Sequence, residues 1–245
     1  MPLLPLTSLL PTRRLLHRRF EPEWMDQPDL DPQLHHAALA ALGRINAASG
    51  SAAALWPSVM EAAKAQPDRS LRVLDVACGG GDVTLALWQR ARASGIPMEL
   101  AGCDISERAI DHAKQQAEAK YARITFFQHD VLHDDWPGVY DVAIASLFLH
   151  HLEAGEAIAL LNKLADHARL VIVDDLVRST AGYLLAWAGT RLLTRNPVVH
   201  TDGPRSVENA FTPDELRDLA THAGLERCTI HRHWPARMQL TWSQP

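Results

Sequence analysis

Cysteine is scarce: a chain of 245 residues holds three, Cys78, Cys103 and Cys228, odd in number, widely spaced and without a CxxC pair. That pattern supports neither a disulfide scaffold nor a zinc site, and it fits a reducing, cytoplasmic setting. Long hydrophobic runs are missing too. The nearest approach to the ~20 apolar residues that cross a bilayer is Gly182 to Leu193, which carries Arg191, so no stable membrane insertion is expected. Nor is there a basic surplus. Lys plus Arg number 24 against 29 Asp plus Glu, a net charge of −5, which gives no overall field for a phosphate backbone and argues against nucleic acid as a partner. Gly and Pro, at 13 and 15 residues, are too few for a low-complexity chain, while 47% apolar and 22% charged residues describe a globular one.

The chain changes character near residue 69. Before it, Met1 to Leu10 is apolar and is followed by Arg13, Arg14, Arg18 and Arg19, the reverse of a secretory signal, and prolines 2, 5 and 11 break the run, so a frayed extension is expected. Asp31-Pro32 then offers a helix start, with Leu34, Ala38, Leu42 and Ile45 at helical spacing up to Gly50. A second helix is expected from Ser51 to about Lys64, kinked or restarted at Pro57. Residues 1–68 thus read as an extension and a helical cap. From Leu71 short apolar runs alternate with amphipathic ones. Strands are expected at Leu71–Val76, Met98–Cys103, Ile124–Phe127, Tyr140–Ala145 and Leu170–Val173, with helices near Asp82–Ala93, Glu107–Lys120 and Glu153–His167. This alternation makes a parallel sheet with helices on both faces, a doubly wound α/β fold over residues 69–245. After Asp175 the alternation breaks, and a helix plus a long loop is expected within 178–211. Thr212-Pro213-Asp214-Glu215 starts a further helix with a capping box. Leu225–Ile230 and Arg237–Trp242 are too close in sequence for a parallel crossover and should pair antiparallel.

The chemistry concentrates at strand ends. Asp75-Val76-Ala77-Cys78-Gly79-Gly80-Gly81-Asp82 is a strand running into a glycine turn and a helix, where backbone can approach a ligand and the helix amides favour an anion. A dinucleotide fingerprint remains open here, although Thr84 stands at its third glycine position. Asp104 ends the next strand, where a carboxylate can accept both ribose hydroxyls, and Asp130 follows the third, placed to accept from an exocyclic amine. Both acids also suit capping of the segments after them.

Taken in order, Leu74-Asp75-Val76-Ala77-Cys78-Gly79-Gly80-Gly81, Cys103-Asp104-Ile105-Ser106, His129-Asp130-Val131 and Tyr140 to Leu152 resemble the class I S-adenosylmethionine-dependent methyltransferases over about Arg69 to Gln239. Ala77 replaces the family's usual first loop glycine. The resemblance implies a seven-stranded sheet whose last strand inserts antiparallel, S-adenosylmethionine as donor and S-adenosylhomocysteine as product. It implies that Asp75, Ala77, Cys78, Gly79 and Gly81 line the methionine portion of the donor. Asp104 and Ile105 would take the ribose side, Asp130 and Val131 the adenine, and Ala145 and Ser146 would lie beneath the sulfonium. An NAD(P)-dependent oxidoreductase or a non-catalytic donor-binding module stays open as an alternative.

His150 and His151 follow the fourth strand, where an imidazole near its unperturbed pKa of ~6.5 suits removal of a phenolic proton; the same residues also suit ordering of the loop. His200, with Asp202 close by, is a rival base, and Tyr183, Trp187 and Arg191 of the inserted segment are candidates for shaping an acceptor pocket. His133 with Asp134 and Asp135, and His231 with His233, lack further ligands at recognisable spacing, so no metal is expected. An acid at the end of the fourth strand and an Asn-Pro-Pro-aromatic motif are both absent there, which weighs against catechol-type metal catalysis and nucleic-acid base methylation. The expected acceptor is a small, apolar or aromatic molecule of phenol, quinone or polyketide type, methylated on oxygen or carbon.

Overall fold

In the computed structural model, which describes residues 14–27 and 29–244, seven strands form one sheet in the order β3-β2-β1-β4-β5-β7-β6. These are β1 (Leu71–Val76), β2 (Met98–Asp104), β3 (Ile124–Gln128), β4 (Tyr140–Ser146), β5 (Ala168–Leu176), β6 (Thr229–His233) and β7 (Arg237–Ser243). β1 to β5 pair in parallel, while β7 inserts antiparallel between β5 and β6. The strand order reverses at the β1/β4 boundary, and a ligand crevice opens at the carboxyl ends of strands around such a switch point.

Alternation along the strands divides the core. Leu74, Val76, Ala143, Ala145, Val171 and Val173 face one way, onto α5 (Ala154–His167) and α8 (Pro213–His222). Leu71, Val73, Val142, Ile144 and Ile172 face the other, onto α2 (Ser51–Lys64) and α3 (Asp82–Ala93). α2 is therefore no free appendage, since Leu55 and Val59 are buried completely in that layer; at ~25 cal/mol per Å², two such side chains contribute several kcal/mol. α4 (Glu107–Ala119) closes the edge by packing Ile110, Ala113 and Ala117 on Phe126.

Above the strand ends lies a helical roof. α1 (Pro32–Ser49) begins where the Asp31 carboxylate accepts from the Gln33 and Leu34 amides, and ends at Gly50 in left-handed conformation, the two devices its sequence advertises. α6 (Thr180–Leu193) and α7 (Pro197–Asn209) complete it. The expected long loop is thus a second helix. Asn196 caps α7 by accepting from the Val198 and Val199 amides, and Pro197 occupies its first turn, so capping and tertiary packing override the poor propensities of Gly203 and Pro204. A Cβ on Gly203 would lie 2.5 Å from Thr190 Cγ2, which shows how closely α6 and α7 approach.

Two further expectations need correction. The strand expected at Leu225–Ile230 begins only at Thr229, because Gly224 (φ +73°) ends α8 and the Leu225 amide returns to the Ala220 carbonyl at 2.9 Å, with the Leu225 side chain buried as this helix-ending motif requires. The expected fraying of the extension falls largely on residues 1–13, outside the described residues. Residues 14–27 are held: the Arg18 guanidinium donates to the carbonyls of Asn209 (2.5 Å), Leu152 (2.5 Å) and His150 (3.2 Å) and stacks on Phe211.

Candidate active site

The sheet's carboxyl edge and the roof enclose a cavity of about 910 Å³, large even for a small-molecule site. One end is built by β1, β2 and the segment after β3. Asp75 is buried at the end of β1 and accepts from the Thr84 hydroxyl at 2.6 Å; burial pushes its carboxyl up to about 7. The chain then turns through Ala77 (φ +50°), Gly79 (φ +53°) and Gly81 (φ +72°) into α3. Gly81 has to be glycine on two counts, its positive φ and a Cβ that would meet Ala113 Cβ and the Phe126 ring at 2.8 Å. At Gly79 nothing lies within 4 Å of such a Cβ, so that turn borders open space.

Asp104 accepts from the Gly79 amide (2.8 Å) and the Ser106 amide (2.9 Å), one on each oxygen. Burial raises its pKa against the lowering effect of those amides, and each oxygen keeps a lone pair. Asp130 accepts from the Leu132 and His133 amides and meets His133 Nδ1 at 2.8 Å. Slight burial raises its pKa, but the His133 ring and the two amides outweigh that and hold it below the usual carboxylate range. Both acids therefore cap local turns and line the cavity at once. With the largely exposed Ile105 as an apolar platform, this end fits a nucleoside carrying a charged tail.

Asp75, Ala77, Cys78, Gly79, Asp104, Ile105, Asp130, Val131 and Ser146 all line the cavity. Two expected donor residues do not. Ala145 is completely buried with Ala143 under α5, because alternation along β4 turns it away from the crevice, and Gly81 sits behind the loop against α4 and β3. Cys78 is partly buried and desolvation pushes its thiol well up, so it lines the site as an inert small side chain.

The other end is apolar, with Leu42 and Ile45 of α1, Leu147 and Phe148 after β4, and Leu185 and Leu193 of α6. Leu147 adopts φ +57°, uncommon for a side chain of this kind and a mark of a constrained site. The residues of α6 that face inward are Gly182, Leu185, Ala186, Gly189, Thr190 and Leu193, one helical stripe. Tyr183, Trp187 and Arg191, expected to shape this pocket, lie on the other face, with the Arg191 guanidinium over the Trp187 ring at 4.6 Å. His200 is also not brought to the cavity: its Nε2 meets the Thr194 carbonyl at 2.8 Å. Asp202, two residues on and so on another side of α7, does reach it, and its carboxylate accepts from the Trp24 and Met25 amides at 2.9 Å each.

His150 and His151 are brought together, in a single 3-10 turn, Leu149–His151. His150 is buried, with its amide donating to Asp175 and its Nδ1 2.6 Å from the same carboxylate. His151 Nδ1 lies 3.0 Å from Asp26 Oδ2. Burial lowers the pKa of His151, but Glu23, Asp26 and Asp175 together raise it to about 9, so without a further cation nearby it holds its proton at neutral pH. Glu23, Asp26 and Asp175 were missed by sequence reasoning. Asp175 was legible as the second acid at the end of β5, whereas Glu23 and Asp26 arrive from a segment with no motif of its own. Beneath Ser146 a buried Arg237 pairs with Asp174 at 2.6 Å and donates to Ser51 Oγ at 2.6 Å, tying α2 to the cavity floor. No helix among the described residues is long and apolar enough to cross a membrane.

Comparison with known proteins agrees with this geometry. Residues 73–169 match the family model of a methyltransferase domain. The chain is 29% identical over 191 residues to the tRNA N(3)-cytidine methyltransferase METTL2 of Gallus gallus, covering 71% of this chain and 50% of that protein. It is 29% identical over 158 residues to a ubiquinone biosynthesis O-methyltransferase of Methylococcus capsulatus, covering 63% of each. The chain thus spans about half the length of the first relative and under two thirds of the second. The solved structure of the plantazolicin methyltransferase BpumL in complex with SAH shares the fold, with a TM-score of 0.60 over 91% of this chain and 93% of that one at 14% identity.

The tRNA relatives correct one expectation. Nucleic acid was set aside as a partner on net charge and on a missing motif, yet tRNA methyltransferases from several animals are among the relatives. Net charge averages the whole surface, whereas an acceptor is chosen locally and in part by whatever surrounds this region. Residues 73–169 thus match a methyltransferase domain, and the strand order around them is that of the class I, S-adenosylmethionine-dependent methyltransferase fold.

Proposed function

We propose that the protein is an S-adenosylmethionine-dependent methyltransferase whose acceptor is a small, largely apolar hydroxyl compound of phenol, quinol or polyketide type. One observation carries this: the nucleoside-fitting residues and the apolar residues line one continuous cavity. Bound S-adenosylmethionine supplies a methyl carbon made electrophilic by its positive sulfur. The chain supplies alignment, worth up to ~7–11 kcal/mol in favourable cases. Asp104 and the Gly79 turn hold the ribose and tail, Ile105 and Val131 flank the base, and Asp75 faces the amino end. Leu42, Ile45, Phe148 and Leu185 exclude water around the acceptor, and the Glu23, His150 and His151 cluster receives its hydroxyl. The cytoplasmic setting belongs to the same reading, on the ground that all three cysteines are free thiols.

Calorimetric titration with S-adenosylhomocysteine, beside NADH and an Asp104→Ala control, tests the donor site. Micromolar binding lost in the variant supports it, and binding of NADH alone would move an oxidoreductase to first place. Labelled methyl transfer to a panel of phenols, hydroquinones and a tRNA transcript then tests the acceptor. Transfer to the transcript and to none of the phenols would sink the small-acceptor reading while leaving the donor site standing.

A further inference from the structure

Three electron-pair donors face one another inside the apolar end of the cavity. Glu23 Oε1 lies 3.6 Å from His150 Nε2 and 4.0 Å from His151 Nε2, and the three donor atoms fall within 4.8 Å of one another. Both imidazoles present Nε2 because Nδ1 is engaged, His150 with Asp175 and His151 with Asp26. An ionised carboxylate only accepts, so each Nδ1 carries a hydrogen, and a neutral ring is left with its lone pair on Nε2. Two such lone pairs aimed at a buried carboxylate repel unless a positive charge sits among them. A proton on His151 is one solution, and a metal ion is the other.

We infer that Glu23, His150 and His151 bind a divalent first-row transition ion and that the acceptor's oxygen completes its coordination, the second half resting on the methyltransferase reading above. Two imidazoles and one carboxylate leave positions open, as in catalytic rather than closed structural sites. Ligands about 2.0–2.1 Å from a shared ion stand roughly 3–3.4 Å apart, so an ion draws these donors inward by less than about 1 Å. The surroundings suit it: a carboxylate behind each histidine orients the ring and strengthens it as a ligand, and Ser206 Oγ donates to Glu23 Oε1. All three ligands border the cavity beside Phe148. An acceptor hydroxyl that coordinates there gives its proton to water, and its oxygen keeps the electron pair and binds the ion as an anion. The spacing of histidines along the chain hides this site, because its third ligand lies more than a hundred residues before the other two.

The test is Co²⁺ titration of the chelator-stripped whole chain, followed by visible absorption and calorimetry, in the wild type and in Glu23→Gln, His151→Ala and the double variant. Expected are one ion per chain, a ligand-field band that Zn²⁺ displaces, and binding at least about tenfold weaker in each single variant. Asp175→Asn, which removes the carboxylate behind the His150 ring, should weaken it about 10–100-fold. S-adenosylhomocysteine binding on the same samples reports whether each variant is folded. If the wild type takes up no more Co²⁺ than the double variant, the proposal is overturned and the cluster is a proton-bridged ion pair. A cobalt band unmoved by phenol or catechol overturns the acceptor half. Loss of S-adenosylhomocysteine binding by the wild type, with the cobalt site intact, would instead count against the methyltransferase reading alone.

Discussion

At the scale of the residue, Asp75 should couple pH to stability and, through the proposed donor site, to donor binding. Its folded pKa, about 7, stands above the ~3.9 of an unfolded aspartate, so the native state holds the extra proton and loses stability as pH rises between those values. The donor's ammonium favours the ionised form. S-adenosylhomocysteine affinity should therefore rise from about pH 6 to about pH 8, and Asp75→Asn should abolish that rise while stabilising the ligand-free protein at the upper end; a pH-independent wild-type titration would remove Asp75 from the donor site. The glycine turn offers a matched pair. Gly81→Ala forces a Cβ into Ala113 and Phe126 and should cost about 2–4 kcal/mol. Ala77→Gly, at φ +50°, relieves a left-handed alanine and should leave stability unchanged or raise it by up to ~1 kcal/mol. Thermal melts of the two variants check this.

At the scale of the element, α6 separates packing from recognition. Its inward stripe carries Gly189, where an added Cβ meets nothing within 4 Å, while Trp187 on the outer face is about half exposed. Gly189→Phe should raise acceptor KM at least about tenfold, or exclude larger acceptors, with S-adenosylhomocysteine affinity kept, and Trp187→Ala should change neither by more than about twofold. Equal effects from both would mean the helix has been assigned the wrong face. The same helix shows where sequence reading runs out. Apolar residues at Leu184, Leu185, Trp187, Leu192 and Leu193 surround it, so periodicity identifies a helix without saying which side turns inward. β1 and α3 were legible to the residue, because a buried run, a glycine turn and a capped amphipathic segment all agree there. α7 was not, since Gly203 and Pro204 speak against a helix that Asn196, Pro197 and contacts with α1 and α6 enforce. The strand-end acids were legible as positions, and their double duty as turn caps was not separable from ligand binding before the geometry was known.

At the scale of the whole molecule, the cavity is closed by a segment remote in sequence. Asp202 holds the Trp24 and Met25 amides, and Arg18 spans His150, Leu152 and Asn209. Asp202→Ala leaves two backbone donors without their charged partner, which costs about 1.5–3 kcal/mol per such bond within a segment that packs little of the core. That loss should unlatch residues 20–27 without unfolding the sheet. Hydrogen exchange should rise there alone, acceptor KM should rise, and donor affinity should hold; faster exchange throughout β1 and β4 would show that the segment stabilises the entire fold.

The latch also has a consequence in time. Trp24 and Asp202 are 178 positions apart, and at ~5–20 residues per second the earlier residue waits on the order of ten seconds or more during synthesis before its anchor exists. The proposed donor end, residues 75–131, can fold within that interval. The acceptor end cannot, because α6, α7 and Glu23 meet only after the last of them is made. A nascent chain should therefore acquire donor affinity first and acceptor affinity last, which makes binding order during biosynthesis a readable record of how this cavity is assembled.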